Sequence, residues 1–379
     1  MTNFSARMGI LLALVGILLV TTAGVIGQAL PSDGEIRYIG REPYGFYALD
    51  VDHGVSLRLA RLTPDLVTNF YFQWSPDGRF ASAQLITTGE QMVLSTETGD
   101  TQWLGVVSPS WFSDGAGTYF HARMAWDTPS RVYVANAAGS AWRALTPDDG
   151  VNYFEPEAAP DDRTIAFLSS ESNLYSMRTD GSALKLLFDA DATLHFPRWS
   201  PDGRQLSVVQ RTTTGSNIYL MNADGSSLRL LVSLTSYIYF CEWSPQGGDL
   251  LILSGNGEYR LQVNIIDSVT SEIRTALRSV STFSSMPNWS PDGRYIYATG
   301  VLEGAQNDRD TFIYAANAQQ NSQIVEQSFI EWSPDGQRIA YVDAANANHE
   351  QICIRYVEDA APSRCLSVVR GASSLRWLP

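Results

Sequence analysis

From residue 35 onward, apolar and polar residues alternate in short runs, and each run stops at a Pro-Asp-Gly, Asp-Gly or Gly-Ser cluster. A period of two puts successive side chains on opposite faces of a strand. Residues 194–231 show the grammar of one unit. Residues 195–199 predict a first strand, and Ser200-Pro201-Asp202-Gly203 a turn in which proline pre-sets φ and glycine tolerates φ > 0. Residues 205–210 and 217–221 predict the second and third strands. Asn222-Ala223-Asp224-Gly225-Ser226 then turns the chain into a fourth, 228–232. The same turn recurs as Asn136-Ala137-Ala138-Gly139-Ser140 and Arg178-Thr179-Asp180-Gly181-Ser182. No long stretch beyond the N-terminal segment has helical periodicity, so the expected class is all-β.

The turn recurs at regular spacing. Trp-Ser-Pro-Asp-Gly begins at Trp74, Trp199, Trp289 and Trp332. Divergent copies read Trp111-Phe112-Ser113-Asp114-Gly115, Ala158-Ala159-Pro160-Asp161-Asp162 and Trp243-Ser244-Pro245-Gln246-Gly247, and Trp377-Leu378-Pro379 is a partial one. The anchors lie about 43 residues apart, the period of a β-propeller with one four-stranded blade per repeat. Residues 35–40, 45–51 and 55–62 read as the second, third and fourth strands of a repeat lacking its first, and 373–379 as a first strand alone. Joined, they make a composite blade that removes exposed sheet edges. Eight blades are therefore predicted. Seven blades with unpaired ends is the competing count, and pairing between 373–379 and 35–40 decides it. The Trp and the Asp of the Ser-Pro-Asp-Gly turn repeat with the scaffold, which assigns them to packing between blades and to capping the turn.

Composition adds a sign. The 26 basic residues face 40 acidic ones, a formal net charge of −14, and no run of Lys or Arg opposes that field. Nucleic acid is not an expected partner. Residues 8–32 carry no charge, and 8–20 are almost wholly apolar, with Arg7 before them and Asp33 and Glu35 after. This length can span a bilayer, and the flanking cation places residues 1–7 in the cytoplasm, 8–30 as a transmembrane anchor and 31–379 as a propeller outside. A cleavable signal peptide competes, with small residues at Thr21 and Ala23 or at Gly27 and Ala29. Both readings export the propeller.

Candidate chemistry is sparse. The sequence has no Gly-x-Ser-x-Gly elbow, His-Glu-x-x-His, P-loop or Cys-pair metal motif, and no cofactor is expected. His53, His121, His195 and His349 fall in different repeats. Only His195 lies on a first strand, and each reads as a packed residue. Asp50-Val51-Asp52 and Asn307-Asp308-Arg309-Asp310 lack the full oxygen-ligand spacing of a calcium site. Cys353 and Cys365 flank a predicted hairpin, 351–357 and 363–369, whose turn near Asp359 sets them opposite each other. Export would sustain a bridge there. Two buried free thiols is the other reading, and it suits Cys241.

The residue before each anchor is polar throughout: Gln73, Ser110, Glu157, Arg198, Glu242, Asn288, Glu331 and Arg376. The residue two before is mostly apolar: Phe72, Pro109, Pro156, Pro197, Cys241, Pro287, Ile330 and Leu375. The two sets occupy opposite sides of the first strand. Propeller geometry makes that strand innermost, so the polar set forms a ring at one mouth of the channel. The ring is either a ligand site drawn from several blades or a self-satisfied Glu/Arg network that fills the channel.

The Trp-Ser-Pro-Asp-Gly-Arg core followed by Asn-x-Asp-Gly-Ser resembles the TolB-type, WD40-like propeller repeat, also found beside prolyl-oligopeptidase relatives. The resemblance covers residues 35–379. It implies the fold and, from TolB itself, a periplasmic propeller that binds protein partners at its channel mouth. TolB carries an α/β domain before a six-bladed ring, whereas this sequence predicts a membrane segment and eight blades, a departure that speaks against orthology. The expectation is a non-catalytic scaffold for an envelope protein, peptide or glycan. The alternative is a propeller enzyme, a polysaccharide lyase or a lactonase-like hydrolase, with its site at the channel mouth.

Overall fold

The computed structural model describes residues 34–379 except 69, 106, 108, 124–127, 257–260, 303–309, 317–321, 326–329, 344–349, 360, 361, 363, 371 and 379. The expected membrane segment, His349 and the 307–309 part of the acidic turn lie outside the described residues. Within them, the chain forms eight antiparallel four-stranded blades. Blade 1 spans 70–105, blade 2 110–144, blade 3 153–189, blade 4 194–234 and blade 7 330–367. Blades 5 and 6 share one long strand, Ile273–Trp289, which pairs first with Leu261–Asp267 and then, past Val280, with Tyr295–Leu302. A short helix, Pro64–Thr68, links blade 8 to blade 1.

Blade 8 is composite. Ser373–Trp377 pairs antiparallel with Glu35–Arg41, setting Ile36 against Trp377 and Ile39 against Ser373. Leu378 N–H extends the ladder by donating to the Glu35 carbonyl at 3.0 Å. Trp377 is only 2% exposed and packs with Ile36, Tyr38, Ile352 and Ile354. The core is eight separate apolar clusters, each sandwiched between neighbouring blades. Each blade thus buries its faces against two neighbours, and stability runs around the ring joint by joint. In blade 7, Cys353 pairs directly with Cys365 and a disulfide joins them, while Cys241 is buried and free.

The repeated turn is a closed hydrogen-bond unit. Asp202 Oδ1 accepts from Ser200 Oγ (2.7 Å) and Arg204 N–H (3.1 Å), and Ser200 Oγ accepts from Gln205 N–H (2.9 Å). Asp77, Asp292 and Asp335 repeat the arrangement. Ser200 and then Arg204 hold the Asp202 carboxyl below its usual range. The turns also stack. A Cβ added to Gly115 would lie 2.7 Å from Asp77 Cγ, and one on Gly336 2.6 Å from Asp292 Cγ, so glycine serves both positive φ and the next blade's approach. In the divergent copy, Asp162 takes the glycine position at φ 57, and its carboxylate caps the neighbouring blade's turn at Ser113 N–H and Oγ–H (3.0 and 2.6 Å).

The tryptophans do more than pack. Trp74 Nε1–H donates to the Ser374 carbonyl (2.6 Å), Trp199 to Glu157 (3.1 Å) and Trp243 to Arg198 (3.0 Å), each on the first strand of the preceding blade. At the periphery, Arg143, Lys185, Arg229, Arg274 and Arg364 on fourth strands donate to carbonyls of Thr179, Asp224, Ser268, Ala316 and Asp52, all just past the third strand of the following blade. Three inner indoles and an outer row of cations therefore clasp joints between blades. The indole N–H groups of Trp111, Trp289, Trp332 and Trp377 have no partner among the described residues. Trp199→Phe is expected to cost about 1 kcal/mol more than Trp332→Phe in urea unfolding, because only the first loses an indole hydrogen bond. Equal losses would reduce the indole to packing alone.

Candidate functional site

The first strands are bulged where they near the axis. Register shifts fall between Phe154 and Glu157, His195 and Arg198, Ile238 and Phe240, and Ser285 and Asn288. Glu155 (φ 48), Phe196 (φ 51) and Ser374 (φ 50), each three residues before an anchor, adopt the left-handed region without being glycine. The bulge turns the following polar residue inward.

In blades 3 to 5 the polar positions converge. Arg198 Nη1 lies 3.2 Å from Glu157 Oε2 and donates to the Pro197 carbonyl, while Nε–H donates to the Cys241 carbonyl at 3.1 Å. Only 26% of each of the Glu157 and Arg198 side chains is exposed. Burial raises Glu157 above the usual carboxylate range, against the pull of Arg198. Burial drives Glu242 up to about 7, with Arg198 opposing and Glu157 adding to the rise. Glu242 Oε2 is enclosed without a hydrogen-bond partner among the described residues. Tyr119 packs beside this group, its hydroxyl held neutral by burial and by Glu157.

The opposite side of the mouth is open. A cavity of about 580 Å³ is walled by Pro76 and Asp77 of blade 1, Ser113 and Asp114 of blade 2, Asn288 and Tyr297 of blade 6, Glu331 and Trp332 of blade 7 and Arg376 of blade 8. Arg376 Nη1 lies 3.4 Å from Glu331 Oε1, which also accepts from Trp377 N–H. Burial lifts Glu331 to about 7, against Arg376. Tyr297 is pushed up to about 12 by burial, then by Glu331 and Glu242.

Of the ring expected from strand alternation, Asn288, Glu331 and Arg376 line this cavity, and Glu157, Arg198 and Glu242 form the packed side. Gln73 lies elsewhere, exposed in a smaller pocket of about 240 Å³ with Tyr71, Gln84, Gln91 and Pro109. Alternation alone does not bring Tyr297, Asp77 or Asp114 to the mouth. Tyr297 is on a second strand, register partner of Asn288, and only three-dimensional pairing reveals it. The histidines divide. His53 Nδ1 meets Asp50 Oδ2 at 2.7 Å within one turn, whose Asp50 also caps the N–H groups of Asp52 and His53. Near the start of the first strands, His195 Nδ1 lies 3.1 Å from Glu155 Oε1, and Glu155 Oε2 accepts from Phe196 N–H at 2.6 Å. His121 is pushed down by burial, with Glu155 opposing. Among the described residues no group of three or more His, Cys, Asp and Glu side chains is arranged to hold a metal ion.

The two raised carboxyls set the sign of the pH response. Folded Glu242 and Glu331 retain protons that the unfolded chain has released above its ordinary value of 4.5. Their stabilising contribution is complete below that value and is lost as pH rises to about 7. The lowered turn aspartates, such as Asp202 and Asp267, act oppositely and lose theirs on acidification. Maximal stability is therefore expected near ~pH 5. Glu242→Gln should raise the midpoint at ~pH 8 and flatten the decline between, as read from thermal melts across pH. A decline unchanged in that variant would contradict the assignment.

These features define an eight-bladed propeller with a one-sided, polar channel mouth. The family described as eukaryotic translation initiation factor eIF2A matches residues 158–318. No curated protein matches the sequence. Among solved structures, the chain is similar to dihydro-heme d1 dehydrogenase NirN, with 12% identity over 93% of this chain and 76% of that one and a TM-score of 0.61. It is similar to oligogalacturonate lyase in complex with manganese, with 16% identity, 79% and 84% coverage and a TM-score of 0.50. A putative TolB from Agrobacterium tumefaciens has 19% identity, 75% and 98% coverage and a TM-score of 0.48. What is shared at these identities is the propeller fold.

Proposed function

We propose that the protein is a non-catalytic binding scaffold whose protein, peptide or glycan ligand seats at the Ser-Pro-Asp-Gly mouth of the channel. In this reading residues 8–30 hold the propeller on the extracytoplasmic side of the cell membrane. The supporting observation is the cavity of about 580 Å³, where five blades contribute different side chains to one opening. Concave sites with a few convergent polar groups are where ligands gain orientation and buried area together. The Glu157–Arg198 pair packs in other blades and lies outside the lining of that opening.

The test is capture from envelope extracts by full-length protein, with Arg198 and Arg376 substituted together by methionine. Binding lost with the fold intact by circular dichroism supports the mouth as the site. Binding unchanged with a lowered melting temperature would make the ring a purely structural network. Elemental analysis of the purified protein separates the enzyme alternative, because a stoichiometric transition metal or calcium in the channel would count against a non-catalytic scaffold.

A further inference from the structure

The face that blade 1 turns toward blade 2 changes character along its length. Near the repeated turn, Phe80 and Val93 pack into an apolar cluster with Phe120 and Tyr133 of blade 2. Further from that turn the same face is polar. Tyr71, Gln84 and Gln91 are successive register partners across the first three strands, and Gln73 pairs with Ser82 beside them. Blade 2 leaves this part uncovered. Its first strand is only Ser110–Trp111, paired with Tyr119 and Thr118, because Pro109 before it has no N–H for the ladder. The Trp111 indole also makes no bond across this joint among the described residues. The result is the pocket of about 240 Å³, whose described lining, Tyr71, the three glutamines, Ser82 and Pro109 included, carries no charge. Tyr71 is 67% exposed, whereas Gln91 is only 7% exposed, and its amide makes no hydrogen bond among the described residues. An amide held in place without a partner suits a ligand that both donates and accepts.

We propose that this cleft between blades 1 and 2 is a subsite for one neutral pyranose ring of a glycan, with the Tyr71 ring against its C–H face and the Gln84 and Gln91 amides on its hydroxyls. Each primary amide sets a donor beside an acceptor, the pattern that adjacent hydroxyls complement. The tyrosine supplies the apolar surface such a ring also needs. An extended peptide would seek backbone partners at a sheet edge. Here the lining lies on a blade face whose backbone is already paired in the ladder, so recognition falls to side chains. The volume lies below the ~300–1,000 Å³ of pockets for larger ligands, which suits a single ring with its neighbours outside. In a chain of net charge −14, a lining without charge also selects against ionised ligands, which gain no counter-charge there. The cleft shares no lining residue with the mouth cavity, so this site goes beyond the mouth reading and stands or falls apart from it.

The probes are maltotriose and cellotriose, titrated against the full-length protein by saturation-transfer NMR. Trigalacturonate and an N-acetylated tetraalanine amide serve as the charged and peptide comparisons. The expected result is transfer to at least one neutral trisaccharide, its affinity weakened about tenfold by Tyr71→Ala and by Gln91→Leu and unchanged by Asp180→Asn on an outer turn. If Gln91→Leu fails to fold, Tyr71→Ala, which removes an exposed ring, decides alone. Sugar binding that survives Tyr71→Ala at full strength would overturn the proposal, and so would the absence of transfer to both trisaccharides. Trigalacturonate or the peptide binding as tightly as the neutral sugars would overturn it as well.

Discussion

Deleting residues 373–379 is expected to abolish the cooperative unfolding transition. The deletion removes the first strand of blade 8, which covers the inner edge of Glu35–Arg41 in that sheet. It strips Trp377, 2% exposed, from a cluster with Ile36, Tyr38 and Ile352. It also removes the Ser374 carbonyl that accepts from Trp74 on the next blade. Losing a fully packed tryptophan alone costs about 3–5 kcal/mol, a large share of the ~5–15 kcal/mol that holds a folded domain together. Trp377→Ala should therefore lower stability by that amount, and the full deletion should leave a ring open at blade 8. The check is thermal unfolding with hydrogen exchange at 35–41, where protection is expected to collapse first. Retained protection there would mean that these strands are satisfied in some other way.

Arg198→Met is expected to be the most damaging single change inside the channel. Its guanidinium acts on both Glu157 and Glu242, and it also donates to the Pro197 and Cys241 carbonyls. Removing one partner of an enclosed pair leaves an uncompensated charge, at a cost of about 3–5 kcal/mol. The loss should shrink from ~pH 8 to ~pH 5 as the abandoned carboxylates take up protons. Glu157→Gln in the same chain should restore part of the stability, since it removes a charge that Arg198 no longer matches. Urea denaturation at the two pH values measures this. A loss that is small and independent of pH would show that the pair contributes little.

The contrast between what the sequence showed and what it hid has a physical origin. Ser-Pro-Asp-Gly is legible because its residues act locally, with Asp202 and Ser200 satisfying backbone within five residues of themselves. Ring closure was equally legible, since 373–379 and 35–61 are complementary fragments of one repeat. The peripheral clasps were invisible. Arg143, Lys185 and Arg229 bond backbone carbonyls in the following blade, far along the chain, and a carbonyl has no residue identity to recognise. Strand alternation singled out Asn288, Glu331 and Arg376 but also Gln73, which lies in another pocket, and it gave no sign of the asymmetry. That depends on how Arg198, Tyr119 and Glu157 fill one side while Asn288 and Arg376 leave the other open. The bulges at Glu155 and Phe196 were hidden for a related reason, because neither residue type advertises a positive φ. Yet those bulges bring Glu155 to His195.

Site-specific photocross-linking in cells asks whether the mouth is a binding surface. A photoreactive residue at Asn288, exposed in the cavity wall, is compared with one at Val269, 82% exposed on an outer turn. A discrete cross-linked species is expected from position 288, lost when Arg376 and Arg198 are both substituted, and none from position 269. Cross-links of equal yield from both positions, or from position 269 alone, would refute the mouth as the binding surface.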